Sequence, residues 1–231
     1  MKLMILKTNL HFHTKEDDIA VHYDIYKAID CAKEKNFDVL AYTPHKKFLF
    51  QEKYAEYASQ KEILLIPGIE LKIKRKDIIV LNCGKEIEKV KSFQELADFK
   101  EKNPRIFILA PHPFLFGLKK LGRRLLENIE LFDAIEMTVF SNKTFNFNKK
   151  AVEIAEKYNK PFIATSDTHF LNDLERGYAL INAPQKTIES IFEAVKKGNF
   201  QNKMNSMSPF AMIKHNIKGG LNFIFGPDTC H

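Results

Sequence analysis

An α/β fold with parallel strands is the architecture this sequence predicts, and three observations predict it. Short apolar, β-rich runs alternate with segments whose apolar residues recur at helical spacing. The 231-residue length suits one large domain, because barrel-like folds use ~200–250 residues for a single core. No Gly/Ser-rich linker or block of like charge divides the chain.

The strand-like runs are Leu3–Leu10, Asp38–Thr43, Ile63–Pro67, Ile78–Asn82, Ile106–Ala110, Ala134–Phe140, Phe162–Thr165 and Tyr178–Ile181. Helical patterns lie between them. Ile25, Ala28, Ile29 and Ala32 fall at i, i+3, i+4 and i+7, the spacing of one buried face, and Asp24 is placed as their N-cap. Ala151, Val152, Ala155 and Tyr158 form a second stripe that Pro161 ends. Ile188, Ile191, Phe192 and Val195 form a third, with Thr187 as N-cap and Gly198 as stop. The tail from Ser206 to Phe225 mixes Phe, Met and Ile with Lys, and reads as an extra helix packed over a core that ends near residue 200.

Composition excludes several classes. The chain is 45% hydrophobic with only 9 Gly and 9 Pro, which rules out disorder and collagen-like repeats. No segment approaches the ~20 apolar residues that cross a bilayer. The apolar stretch after Lys2 is too short for a secretory signal, so the expected compartment is the cytoplasm. Cys31, Cys83 and Cys230 are odd in number and scattered, which points to reduced structural thiols. The formal net charge is +7, and Lys supplies most of the 36 basic residues. That suits a phosphate-bearing ligand better than base-specific DNA reading, which leans on Arg. No GxxxxGK[ST] or GxGxxG loop is present, so neither ATP nor a dinucleotide is an expected cofactor.

The eight His carry more information than the charge, because five of them follow strand-like runs. The first run ends in His11-Phe12-His13-Thr14, with Asp17 and Asp18 close behind. Alternation in a strand puts His11 and His13 on one face, where two imidazoles can hold one ion. Later runs end in Thr43-Pro44-His45, Pro67-Gly68-Ile69-Glu70, Pro111-His112-Pro113 and Ser166-Asp167-Thr168-His169. A lone His or Asp in such a place commonly bonds loop backbone. Five at once point to a shared centre, because C-terminal strand ends converge on one face in barrel-like folds. Imidazoles mixed with carboxylates suit Mn²⁺, Zn²⁺ or Fe²⁺ better than Mg²⁺ or Ca²⁺. The donors outnumber the needs of one ion, and Glu70 or Asp167 can bridge neighbouring ones.

In order, spacing and placement these motifs resemble the polymerase-and-histidinol-phosphatase (PHP) superfamily of metal-dependent phosphoesterases, over residues 3 to about 198. The resemblance implies a distorted (β/α)₇, TIM-like barrel with two or three divalent transition metals at its C-terminal face. It places His11, His13, Glu70 and Asp167 on one ion, Glu70 and His112 on a second, and Asp18, His45 and His169 on a third. Glu136 matches a carboxylate often seen near the ligands. Two departures stand out. Residues 71–111 lack the His that many members carry there, which leaves the second ion short of protein ligands. Pro44 replaces the Asp of a Thr-Asp-His motif.

The expected reaction is hydrolysis of a phosphate ester, with Glu70 and Asp167 at the centre and His45 or His169 as proton donor to the leaving oxygen. Lys46, Lys47, Arg123, Arg124 and Arg176 are candidates for holding a phosphate or a nucleic-acid backbone. Phe48, Phe50, Phe114 and Phe116 flank the motifs, and packing is their simpler role. The expected partner is a phosphate-ester substrate, a nucleotide or single-stranded nucleic acid among the options, with no membrane and no obligate protein partner. An amidohydrolase, which also opens with His-x-His, and a non-catalytic nucleic-acid- or protein-binding barrel are the competing readings.

Overall fold

The computed structural model describes residues 3–115, 120–142, 146–205, 207 and 230. In chain order its elements are β1 (Met4–Phe12), α1 (Ile25–Glu34), β2 (Val39–Tyr42), α2 (Glu52–Gln60), β3 (Leu64–Ile73) and β4 (Lys76–Leu81). They continue with α3 (Phe93–Lys102), β5 (Phe107–Ala110), α4 (Arg123–Glu127), β6 (Ala134–Met137) and α5 (Asn148–Lys157). The last are β7 (Phe162–Ala164), β8 (Gly177–Ala183), α6 (Ile188–Lys196) and β9 (Phe200–Met204). The caps foreseen for α1 and α6 are in place, with Asp24 accepting from Lys27 N and Thr187 from Ser190 N.

The strands form one sheet in the order β7-β6-β5-β4-β3-β2-β1-β8-β9. Pairs β1–β2, β2–β3, β5–β6 and β6–β7 are parallel, as expected. The expectation of parallel strands fails at β4 and β8, which run antiparallel to both neighbours. For β4 the reason is local. Only Lys74 and Arg75 separate it from β3, with φ of 47° and 68°. Two residues with positive φ make the type I′ loop that joins antiparallel strands, here without its usual Asn or Gly.

The sheet curls until its ends nearly meet. Asn202 on β9 accepts from Ala164 N and donates to Phe162 O, both at 2.8 Å, tying β9 to β7. Above that seam, His13 N donates to Thr168 O at 3.1 Å, tying β1 to the segment after β7. The result is a distorted TIM-like barrel. Its interior holds Leu6, Leu10, Val39, Ile66, Ile79, Phe107 and Ile163, and α6 packs Ile191, Phe192 and Val195 into the same cluster. Phe192 stacks on Phe107 with ring centroids 4.7 Å apart. Each such side chain contributes about 1.5–3 kcal/mol of burial.

Three further features differ from expectation or extend it. The boundary near residue 200 falls inside β9, which carries the sheet on to Met204. The foreseen tail helix lies outside the described residues apart from Met207, which is buried against Val139 and Phe140. Cys31 and Cys230 are joined by a disulfide, which corrects the reading of reduced thiols. Their separation of 199 residues hides a Cα–Cα distance of 5.6 Å, and proximity in space is what pairing requires. Cys83 is free and buried, and burial pushes its thiol up to about 12. Among the described residues no helix is long and apolar enough to cross a membrane.

Candidate metal centre

A register shift between Asn9 and Phe12 reverses the alternation of β1. Leu6 and Leu10 face the barrel interior, yet Phe12 joins the outer cluster with Ile25, Ile29 and Tyr42. A bulge re-aims side chains in this way. It turns His11 and His13 into the upper barrel, where both are fully buried.

The outward nitrogens of these rings are tied to carboxylates. His11 Nδ1 lies 2.9 Å from Glu136 Oε1, and His13 Nδ1 lies 3.1 Å from Asp17 Oδ2. Their Nε2 atoms therefore face inward, 3.0 Å apart and each 3.3 Å from Asp167 Oδ1. Glu70 Oε2 completes the group, 3.9 Å from His11 Nε2 and 3.5 Å from His13 Nε2. Ligand atoms around a cation with bonds of ~2.1 Å stand roughly 3.4 Å apart in a tetrahedron, so this donor set fits a divalent transition metal.

Glu70 is held by backbone on one side. Its amide donates to Pro44 O at 2.9 Å, and its carbonyl accepts from Lys46 N at 3.0 Å. Gly68 permits the close passage of strands, since a Cβ there would lie 3.1 Å from the Tyr42 carbonyl oxygen. While Oε2 meets His11, His13 and His45, the other oxygen, Oε1, lies 3.4 Å from His112 Nε2. His112 and Asp167 both sit in left-handed backbone, at φ 28° and 48°, a strained choice for non-glycine residues that recurs at functional sites.

A third group forms from His13, His45 and His169, whose donor atoms lie within 4.8 Å of one another. Asp18 Oδ2 is 3.4 Å from His169 Nε2 and 4.0 Å from His45 Nδ1. All eight residues read from the sequence as metal ligands thus come together at the C-terminal strand ends. Glu136 faces the back of His11 and also accepts from Thr165 Oγ1 and from the backbone amide of His112, so it orients the His11 ring and anchors the loop that carries His112.

Asp17 is the residue that sequence reasoning passed over. Its side chain is fully buried, and Oδ2 accepts from His13 Nδ1, from His45 Nδ1 at 2.9 Å and from His45 N at 2.9 Å. The signal was its position four residues after His13, eclipsed by the neighbouring Asp18. Pro44 offers no carboxylate beside His45, and Asp17 supplies the one that orients its ring.

The basic candidates divide. Lys46 and Lys47 are exposed directly after His45. Arg123 and Arg124 both pair with Glu127 on α4, and Arg176 pairs with Asp173. Phe48 and Phe114 pack on one apolar cluster and Phe50 on another, while Phe116 lies outside the described residues.

Charge balance within the cluster is tight. Burial works to strip the rings of protons, but the carboxylates outweigh it. His45 is raised to about 10 by Asp17 and Glu70, and His112 to about 9 by Glu70, Asp167 and Glu136. Asp18 is lowered to about 2, chiefly by its hydrogen bond from His169. Burial pushes Glu70 and Asp167 up, and the surrounding histidines more than reverse this, holding both well below the carboxylate range. A raised imidazole stabilises the fold fully below its unfolded pKa of about 6.5, and stops doing so as pH climbs through its folded pKa. The lowered carboxylates stabilise above about pH 4 and fail on acidification. Metal-free protein is therefore expected to melt highest near about pH 5–6.5 and to lose roughly 5 °C or more by about pH 10. Thermal melts in chelator across that range check this; a melting point that holds level through pH 10 contradicts it.

Residues 145–200 match a family model described as PHP-associated. A two-domain protein from Bacteroides vulgatus containing a predicted PHP-like metal-dependent phosphoesterase superposes with a TM-score of 0.68 at 17% identity. The match covers 87% of this chain and 65% of that one, so this chain spans about two-thirds of that protein's length. PsfC from Pseudomonas syringae superposes with a TM-score of 0.66 at 16% identity, covering 96% of this chain and 100% of the other. An amidohydrolase from Chromobacterium violaceum, with bound sulfate and no metal, gives 0.53 at 13% identity over 91% and 96% of the two chains. No curated protein matches the sequence. Fold and site thus define a distorted TIM-like barrel whose C-terminal face gathers His and carboxylate groups suited to divalent cations. The match of residues 145–200 to the PHP-associated model and these superpositions show a fold shared with PHP-like structures.

Proposed function

We propose that this chain is a divalent-metal-dependent phosphoesterase, a hydrolase of phosphate esters that works with two or three Mn²⁺, Zn²⁺ or Fe²⁺ ions. One observation supports this reading above others: two carboxylates each face more than one donor group. Glu70 meets His11, His13 and His45 through one oxygen and His112 through the other. Asp167 meets His11 and His13 through Oδ1, and His112 at 4.0 Å through Oδ2. Carboxylates so placed can bridge adjacent cations, which is the arrangement that clamps the attacking and leaving oxygens of a phosphoryl group. Cations held there would supply Lewis acidity, polarising the phosphoryl oxygens and making water acidic.

The chain's own side chains divide the remaining work. His45 and His169, at 16% and 20% side-chain exposure, are the most accessible rings of the cluster, and with two cations bound and the third group free they are placed to pass a proton to a leaving oxygen. Lys46 and Lys47, exposed beside His45, can hold the phosphate of a nucleotide or of single-stranded nucleic acid. Arg123, Arg124 and Arg176 must first leave their carboxylate partners to do the same. The cytoplasmic location foreseen from the sequence stands against the Cys31–Cys230 disulfide, which an oxidising compartment favours.

The likeness to the Chromobacterium amidohydrolase favours a second reading, hydrolysis of an amide. The early His45 and Glu70 and the paired Asp167 and His169 fit the ligand order of that class poorly. A screen of Mn²⁺-loaded protein against phosphomonoesters, phosphodiesters, single-stranded DNA and RNA, and simple amides decides between them. The expected result is turnover of a phosphate ester that falls at least ~10²-fold in His13→Ala. Full activity in that variant, or ammonia release from amides without phosphate-ester turnover, overturns the proposal.

A further inference from the structure

The sequence lacks the imidazole that many family members carry between Glu70 and His112, and a carboxylate occupies that part of the barrel. In the β3–β4 hairpin, Lys72 is the register partner of Asp77 and Glu70 that of Ile79. Ile79 and Leu81 belong to the barrel-interior cluster. Alternation along a strand therefore puts Asp77, two residues before Ile79, on the interior face as well. Because β4 runs against β3, its first residues lie at the level of the metal-ligand candidates. The two-residue loop at Lys74 and Arg75 sets this register.

Asp77 is 2% exposed, and a carboxylate oxygen of it lies within 4.8 Å of donor atoms of both Glu70 and His112. Its Oδ1 is buried without a hydrogen-bond partner. The nearest cation is Lys72 Nζ, 3.2 Å away but outside hydrogen-bond geometry. A buried carboxylate oxygen left in this way is costly unless something else occupies the space beside it.

We propose that Asp77 is a ligand of the second cation, completing a pocket with Glu70 Oε1 and His112 Nε2. The assignment rests on the metal-centre reading and extends it to the residue that fills the gap and to the metal preferred there. Two carboxylates and one imidazole make this the hardest of the three donor groups. The others offer two imidazoles with two carboxylates, and three imidazoles with Asp18 at their edge. Oxygen-rich sets favour Mn²⁺, while imidazole-rich sets favour Zn²⁺. The second site is accordingly the Mn²⁺-preferring member of the cluster. Lys72 serves Asp77 as counter-charge and gives way when a cation binds.

Metal counting tests this without recourse to activity. Chelator-stripped wild-type, Asp77→Ala, Asp77→Asn, Asp77→His and Lys72→Ala proteins are titrated with Mn²⁺, free ion being read from its electron paramagnetic resonance. Bound Zn²⁺ is measured by elemental analysis, and melting curves of the stripped proteins establish that each is folded. The expected result is one Mn²⁺ fewer per chain, or at least tenfold weaker binding of one, in Asp77→Ala and Asp77→Asn. Lys72→Ala keeps the full count, and Asp77→His regains the ion with Zn²⁺ preferred. Unchanged stoichiometry and affinity in the folded Asp77→Asn protein overturns the assignment. Equal loss in Lys72→Ala does the same, because Asp77 would then be half of a cross-strand ion pair. Wild-type protein that binds neither metal overturns the metal-centre reading itself, and this assignment with it.

Discussion

Replacing Glu70 by Ala is expected to lower the proposed phosphate-ester hydrolysis by at least ~10³-fold and to cost the protein more than one bound ion per chain. The expectation comes from where its two oxygens point. Oε2 lies 3.0 Å from His45 Nε2 and 3.5 Å from His13 Nε2, and Oε1 lies 3.4 Å from His112 Nε2. Asp167 also reaches all three donor groups, but it meets His112 only at 4.0 Å. Removing Glu70 leaves several buried rings short of the counter-charge that raises them, so the metal-free variant should also be less stable. Breaking a buried charge pair costs about 3–5 kcal/mol. Asp18→Ala offers the comparison: Asp18 approaches only His169 and His45, and its loss should remove one ion at most. Elemental analysis and denaturant melts of the two variants separate a shared ligand from a local one. Equal metal loss in both would show that Glu70 bridges nothing.

Much of this centre was legible because its residues follow apolar strand runs. His11, His45, His112 and Asp167 each come within a few residues of a strand end, and parallel strands bring those ends to one face. What stayed hidden depends on contacts across strands. Asp77 follows a loop of Lys74 and Arg75, which carries none of the residues that announce a tight hairpin, so nothing marked the strand as reversed. The bulge in β1 leaves no compositional trace either, although the same-face placement of His11 and His13 survives it. Helices α2 and α3 bury only Tyr54 and Ala58 in one case and Leu96 in the other, so no apolar stripe betrays them. The disulfide joins residues that only the completed fold brings together.

Asp17 provides the second large effect, and it acts through rings it holds. Oδ2 accepts from the Nδ1 atoms of His13 and His45, at 3.1 and 2.9 Å, while Oδ1 accepts from Thr14 N at 3.0 Å. A carboxylate accepts on both sides, whereas an amide cannot. In Asp17→Asn, an amide nitrogen turned toward the rings forces their protons to Nε2, the atoms that face the cluster. Turned the other way, it sets a donor against the Thr14 amide. Either orientation costs the site. Loss of the group that fixes a ligating imidazole typically weakens metal binding about 10–100-fold. The weakening should fall on the ions that use His13 and His45, and it should spare the site of His112, which Asp17 does not touch. Two-phase Mn²⁺ titrations read this directly, with one phase shifted and one unmoved. The shifted phase should also move to higher pH, since the rings must now surrender a proton from the ligating nitrogen. Titrations that coincide with wild type would leave Asp17 as a loop anchor alone. A uniform loss across both phases would instead mean that the loop, together with the whole cluster, had collapsed.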